Sequence, residues 1–174
     1  MTQKPQFTLL APVALAIVTL LAGCTTDGGA PSNSPLGTTS NTESAGANMP
    51  QVSGAANEAP TITAPSGNPP QELAVEDVIA GSGKVAEANS TLTVHYTLMA
   101  WSTGEVVESS WSGEPATFGL NQVILGWQQG IPGMKVGGRR LLVIPPSLGY
   151  GEAGGGPIGP NETLIFVVDL IDVN

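Results

Sequence analysis

Val94-His95-Tyr96-Thr97, Val123-Ile124-Leu125-Gly126-Trp127, Gly133-Met134-Lys135-Val136-Gly137-Gly138-Arg139-Arg140, Tyr150-Gly151 and Glu162-Thr163-Leu164-Ile165-Phe166 follow one another in the carboxy-terminal half of the chain. Around the first, Leu92, Val94, Tyr96 and Leu98 alternate with Thr91, Thr93, His95 and Thr97. That period of two is the pattern of a half-buried strand, and it puts His95 on the face opposite Tyr96. Leu73 to Val75 starts an earlier strand, stopped by Gly81-Ser82-Gly83, and Ser102-Thr103-Gly104 turns the chain into another around 106–110. Phe118 and Leu120 belong to a third short strand, and residues 141–144 to one closed by Pro145-Pro146. The last strand runs over 164–173, with Leu164, Phe166, Val168 and Leu170 on one face. The single helical stretch, 122–130, is brief and ends at Pro132-Gly133. Many strands, one short helix and frequent Gly and Pro turns describe an antiparallel α+β domain.

The quoted segments, in their order and spacing, resemble the FKBP-type peptidyl-prolyl cis-trans isomerases over residues 71–174. The resemblance implies a bent antiparallel β-sheet of about five strands wrapped over one short α-helix, with the site between them. It implies enzymatic isomerisation of X–Pro bonds and requires no cofactor and no metal.

Composition divides the chain. Residues 24–70 are rich in Gly, Ser, Thr, Asn and Pro, and their large apolar residues are few and scattered. Such a stretch buries too little apolar surface to offset the entropy of ordering it, so a disordered, flexible linker is expected there. Before it, Lys4 precedes an apolar run over 7–23 that is interrupted by Pro12 and ends in Leu21-Ala22-Gly23-Cys24. A charged start and a short apolar stretch describe an export signal over 1–23. The last four residues resemble the lipobox of bacterial lipoproteins, which implies cleavage before Cys24 and its lipidation. Cys24 is the only cysteine, so no intramolecular disulfide forms. The expected location is extracytoplasmic, on a bacterial membrane through the lipid anchor, as a tethered monomer. The net charge of −9 with five Lys plus Arg argues against nucleic acid as a partner.

Most catalytic constellations are excluded by what is missing. There is one histidine, His95, and no Gly-x-Ser-x-Gly elbow, and the lone Cys24 sits at the expected membrane end. His95 is therefore read as a structural histidine bonded to backbone. Prolyl isomerisation needs none of these groups. The X–Pro amide is held planar by resonance, with negative charge on oxygen that water stabilises. A dry apolar pocket withdraws that support, and donors fitted to the twisted form favour the transition state.

The resemblance assigns such a pocket residue by residue. Trp127 is its floor, Tyr96 and Phe166 are aromatic walls, Val123 and Ile124 line the rim, and the Ile124 amide is a donor. Tyr150 is a hydroxyl donor over the site. Glu108 stands where the family carries an aspartate bonded to a tyrosine, Val107 where it carries Phe, and Ala116 where it carries an aromatic. Phe118 completes the wall, and Ile158 lies in a flanking loop that closes on substrate. Trp101 and Trp111 match no pocket role and are read as surface or secondary packing. The glycine run 154–156 is read as a mobile loop. Val107, Glu108 and Ala116 imply a wider pocket, reduced turnover and weak binding of macrolide immunophilin ligands. The partners implied are X–Pro segments of exported, unfolded proteins. The rival readings are a catalytically weak prolyl-peptide binding or chaperone module and a structural surface lipoprotein.

Overall fold

The alternation at 91–98 is the middle of a long strand on which the rest of the sheet is laid. The computed structural model describes residues 49–174, which fall in one compact unit, Asn41–Asn174. The signal segment expected over 1–23, Cys24 and the linker as far as residue 48 lie outside the described residues. The strands are β1 (Val52–Ser53), β2 (Thr61–Ile62), β3 (Ala74–Ile79), β4 (Thr91–Ala100), β5 (Val106–Ser109), β6 (Ala116–Gly119), β7 (Arg139–Ile144) and β8 (Leu164–Val173). The one α-helix, α1, is Leu125–Gly130, preceded by a 3-10 turn, Leu120–Gln122. Leu120, expected in a strand, begins that turn, and the helix expected from 122 starts three residues later.

The main sheet is antiparallel in the order β3-β7-β8-β4-β5, and β6 also pairs with β4. β6 takes residues 91–94 of β4 and β5 takes 97–99, so the two lie end to end along one edge. The expected sheet of five strands is thus five positions wide, with the last position shared. Bulges at Leu98/Met99, Thr93/Val94 and Asp77/Ile79 add the twist that bends it.

The inner face of this sheet covers α1. Leu92, Val94 and Leu98 from β4 meet Leu164, Phe166, Val168 and Leu170 from β8, Leu142 and Ile144 from β7, and Trp127 and Ile131 from the helical segment. α1 has only six residues and no side-chain cap, so its stability comes from this contact and not from its own hydrogen bonds. Gly126 permits the contact: a Cβ there would lie 2.4 Å from Cγ2 of Ile144. Arg140 holds the other end of the helix. Its Nη1 donates to Gly130 O at 2.8 Å, while Nε and Nη2 grip Asp77 at 2.7 and 3.0 Å.

The outer face carries a second core of Met99, Trp101, Leu141, Val143, Ile165 and Val167. Residues 49–70, expected as the end of a flexible linker, are in part laid on this face. β1 and β2 pair through Val52↔Ile62, and Met49, Val52 and Ile62 pack against the second core. Arg139 anchors them. Its side chain is fully buried, bonded to Asp169 at 2.6 and 2.8 Å, and donates to the carbonyls of Gly54 and Glu58 at 3.2 and 2.5 Å. Trp101 Nε1 donates to Gly67 O at 3.4 Å. The composition of 24–70 hides this because the few apolar residues find their partner on a sheet distant in sequence. Among the described residues no helix is long and apolar enough to cross a membrane.

Candidate active site

Strands of the sheet and the helical segment converge on one cavity. β4 contributes Tyr96 and Leu98, β6 contributes Phe118, β8 contributes Phe166, the turn entering α1 contributes Gln122, Val123 and Ile124, and α1 itself contributes Trp127. With Glu108 and Tyr150 these residues line a cavity of about 430 Å³, the size of a small-ligand site.

Trp127 is 3% exposed and forms the base. Phe166, Phe118 and Tyr96 stand around it with ring centroids at 5.3, 6.0 and 6.0 Å and planes at 87°, 85° and 84° to the indole. Rings set at right angles to a common floor are walls, and edge-to-face contacts of this kind are favourable beyond the area they bury. The register produces them. Leu98 pairs with Phe166 and Tyr96 with Val168 across β4 and β8, so Tyr96, Leu98 and Phe166 share the inner face.

The polar groups sit at one side. Tyr96 Oη donates to Glu108 Oε1 at 2.5 Å. Glu108 is an exposed residue of β5 opposite Leu98, and its carboxylate reaches the Tyr96 hydroxyl from there. Burial, then the hydrogen bond to Glu108 and the nearby charges, push the Tyr96 hydroxyl well above its ordinary value of 10.0. Tyr96 is thus a fixed neutral donor to Glu108. Tyr150 is 42% exposed at the mouth, and Gly155 packs beneath its ring, where a Cβ would lie 3.1 Å from Tyr150 Cδ1. Gln128 Nε2 donates to Val123 O at 2.8 Å and fixes the rim turn, while Ile124 occupies the N-cap of α1 with its carbonyl accepting from Trp127 N and Gln128 N.

Of the expected site residues, Tyr96, Glu108, Phe118, Val123, Ile124, Trp127, Tyr150 and Phe166 are brought together. Val107 and Ile158 do not line the cavity. Val107 is half-buried against the inner core and is not among the residues that line the cavity. Ile158 is 7% exposed and part of the inner core. Its loop contains a hydrogen-bonded turn in which Gly155 and Ile158 exchange both backbone bonds at 2.9 Å. Ala116 is absent from the lining as well. Leu98 and Gln122 line the cavity and were not anticipated: Leu98 reads as one more core residue of the alternation, and Gln122 precedes the rim motif by a single position.

His95 stays out of the cavity, as its place in the alternation requires. Its Nδ1 lies 2.9 Å from the Ser110 hydroxyl, a side-chain partner where backbone was expected, and its ring stacks on Trp111 at 4.2 Å and 18°. Ser110 Oγ also accepts the Tyr96 N–H at 2.9 Å, so this outer cluster helps fix the strand that carries Tyr96. Among the described residues no group of three His, Cys, Asp or Glu side chains is placed to hold a metal ion.

The model of the FKBP-type peptidyl-prolyl cis-trans isomerase family matches residues 83–171. An FK506-binding protein of Streptomyces anulatus is 54% identical over 121 residues, covering 67% of this chain and 98% of that protein. A probable FK506-binding protein of Corynebacterium glutamicum is 47% identical over 115 residues, covering 66% and 98%. Among solved structures, FkpA from Escherichia coli is similar with a TM-score of 0.56 at 42% identity, over 59% of this chain and 48% of that one.

Proposed function

We propose, from the premise that the chain belongs to the FKBP-type peptidyl-prolyl cis-trans isomerase family, that its aromatic cavity turns X–Pro bonds of exported proteins by desolvation and without covalent chemistry. The observation that carries this is the indole floor with three rings standing at right angles to it. A prolyl ring is compact, apolar and cyclic, and it fits such a box. Inside, the amide oxygen loses the water that favours its planar, charge-separated form. The Ile124 amide and the Tyr150 hydroxyl serve as the donors that hold the substrate while the C–N bond twists. Glu108 and Tyr96 hold each other, which keeps the polar wall in one position. Phe118, Val123 and Phe166 seal the sides, and the acyl–proline bond never breaks.

Two features speak for turnover over the rival reading of a weak binding module. The family departures at Val107 and Ala116 lie off the cavity wall, and Glu108 makes the tyrosine bond that the family aspartate would make. Macrolide immunophilin ligands are accordingly expected to enter the same cavity.

Location belongs to the same reading. The apolar run ending in Leu21-Ala22-Gly23-Cys24 supports export and lipidation of Cys24, which would hold the enzyme on a bacterial membrane as a tethered monomer. Its clients would then be unfolded or partly folded chains that have crossed that membrane. The test is in two arms. Refolding of a protein limited by prolyl isomerisation should be accelerated catalytically by the full chain, and failure to accelerate it overturns the isomerase claim. Metabolic labelling with a fatty-acid analogue should tag the wild type and not Cys24→Ser, and an unlabelled wild type overturns the anchor.

A further inference from the structure

The cavity wall carries one carboxylate and no cation. Glu108 is exposed, its Oε1 accepts from Tyr96, and among the described residues no Lys or Arg lies within salt-bridge distance of either oxygen. None of the cations of the described residues pairs with Glu108. Arg139 is buried against Asp169 and Arg140 is paired with Asp77. Lys84 Nζ donates to Val173 O, and Lys135, whose backbone bridges to Val85, makes no ion pair with Glu108. None of the four lines the cavity. Oε1 is committed to Tyr96, and Oε2 has no protein partner among the described residues.

We infer that Glu108 sets a substrate preference: its free oxygen selects X–Pro segments with a Lys or Arg beside the proline. The inference rests on the isomerase reading above. Three features favour a cation as the matching group. The carboxylate is anchored through one oxygen, so pairing costs little further side-chain entropy. It stands at the edge of an apolar cavity, where a charge pair is screened less than in open water. Among the described residues no cation lines the cavity or pairs with Glu108, so a substrate ammonium or guanidinium meets an unneutralised partner. An acidic neighbour of proline meets repulsion from the same group.

The test is a set of peptides with Lys, Leu or Glu before the proline and a parallel set with these residues after it. Catalysed exchange is measured with the full chain in detergent, at about 10 mM and about 1 M salt, where the Debye length is roughly 30 and 3 Å. In one of the two sets, kcat/KM for the Lys peptide should exceed that for the Glu peptide by about threefold to tenfold at low salt. The ratio should fall toward one at high salt and in Glu108→Gln, whatever that variant does to the Leu peptide. A ratio near one at low salt in both sets, or one that survives both high salt and Glu108→Gln, overturns the inference. No acceleration of the Leu peptide would instead sink the isomerase reading on which it rests.

Discussion

At the residue scale the account turns on a donor already spoken for. Tyr96 gives its proton to Glu108, and that bond, with burial, holds the hydroxyl neutral far into alkali. The folded value lies above the unfolded one, so this stabilisation is complete below about pH 10 and is lost as pH rises through the folded value. Ultraviolet titration of the two tyrosines should show Tyr96 retaining its proton where a free phenol has lost it, and Glu108→Gln should bring its ionisation down. Tyr96→Phe should lower kcat/KM by about tenfold, the worth of one hydrogen bond to a charged group, while far-ultraviolet dichroism stays unchanged. Trp127→Ala should cost about 3–5 kcal/mol of stability in urea unfolding and remove peptide binding, because the indole is both core and floor. Most of the site was legible in sequence because its aromatic residues sit in fixed order on the alternating strand and beside the helix. Ile158 and Val107 were not. Whether an apolar residue faces the cavity or the core behind it depends on how a strand and a loop are turned, and side-chain type is the same in both cases.

At the element scale, the short helix and the leading hairpin both depend on contacts made far away in sequence. Gly126 lets α1 approach β7, and Gly126→Ala should destabilise by about 1–3 kcal/mol through the clash with Ile144. The hairpin of β1 and β2 covers the outer core and supplies two carbonyls to Arg139. A chain starting at residue 71 should therefore be less stable than one starting at 49 by about 2–4 kcal/mol, from the lost burial of Met49, Val52 and Ile62. Equal urea midpoints would show the hairpin to be an ornament. Strand positions were readable because alternation is local: β4 and β8 run where the periodicity of Leu92–Leu98 and Leu164–Leu170 placed them. The hairpin was not readable, since two-residue strands carry no period and Gly and Pro dominate around them.

For the whole molecule, charge and shape act together. Arg140 ties β3, β7 and the end of α1, and its hydrogen bonds hold the Asp77 carboxyl below the ordinary value of 3.8. A depressed folded value stabilises above about pH 4 and stops doing so as pH falls through it. Asp77 is half-exposed, so the solvent-screened contribution is at most about 1 kcal/mol, and Asp77→Asn should lose it at neutral pH and little at pH 2 to 3. The central claim concerns the box that this architecture encloses. Its most direct test is NMR exchange spectroscopy of an X–Pro peptide with catalytic amounts of the full chain in detergent, beside Trp127→Leu. The account predicts cis–trans exchange far faster than the uncatalysed tens of seconds, and a large loss of that acceleration in the variant at retained fold. A folded wild type that binds the peptide and leaves its exchange rate unchanged would contradict it.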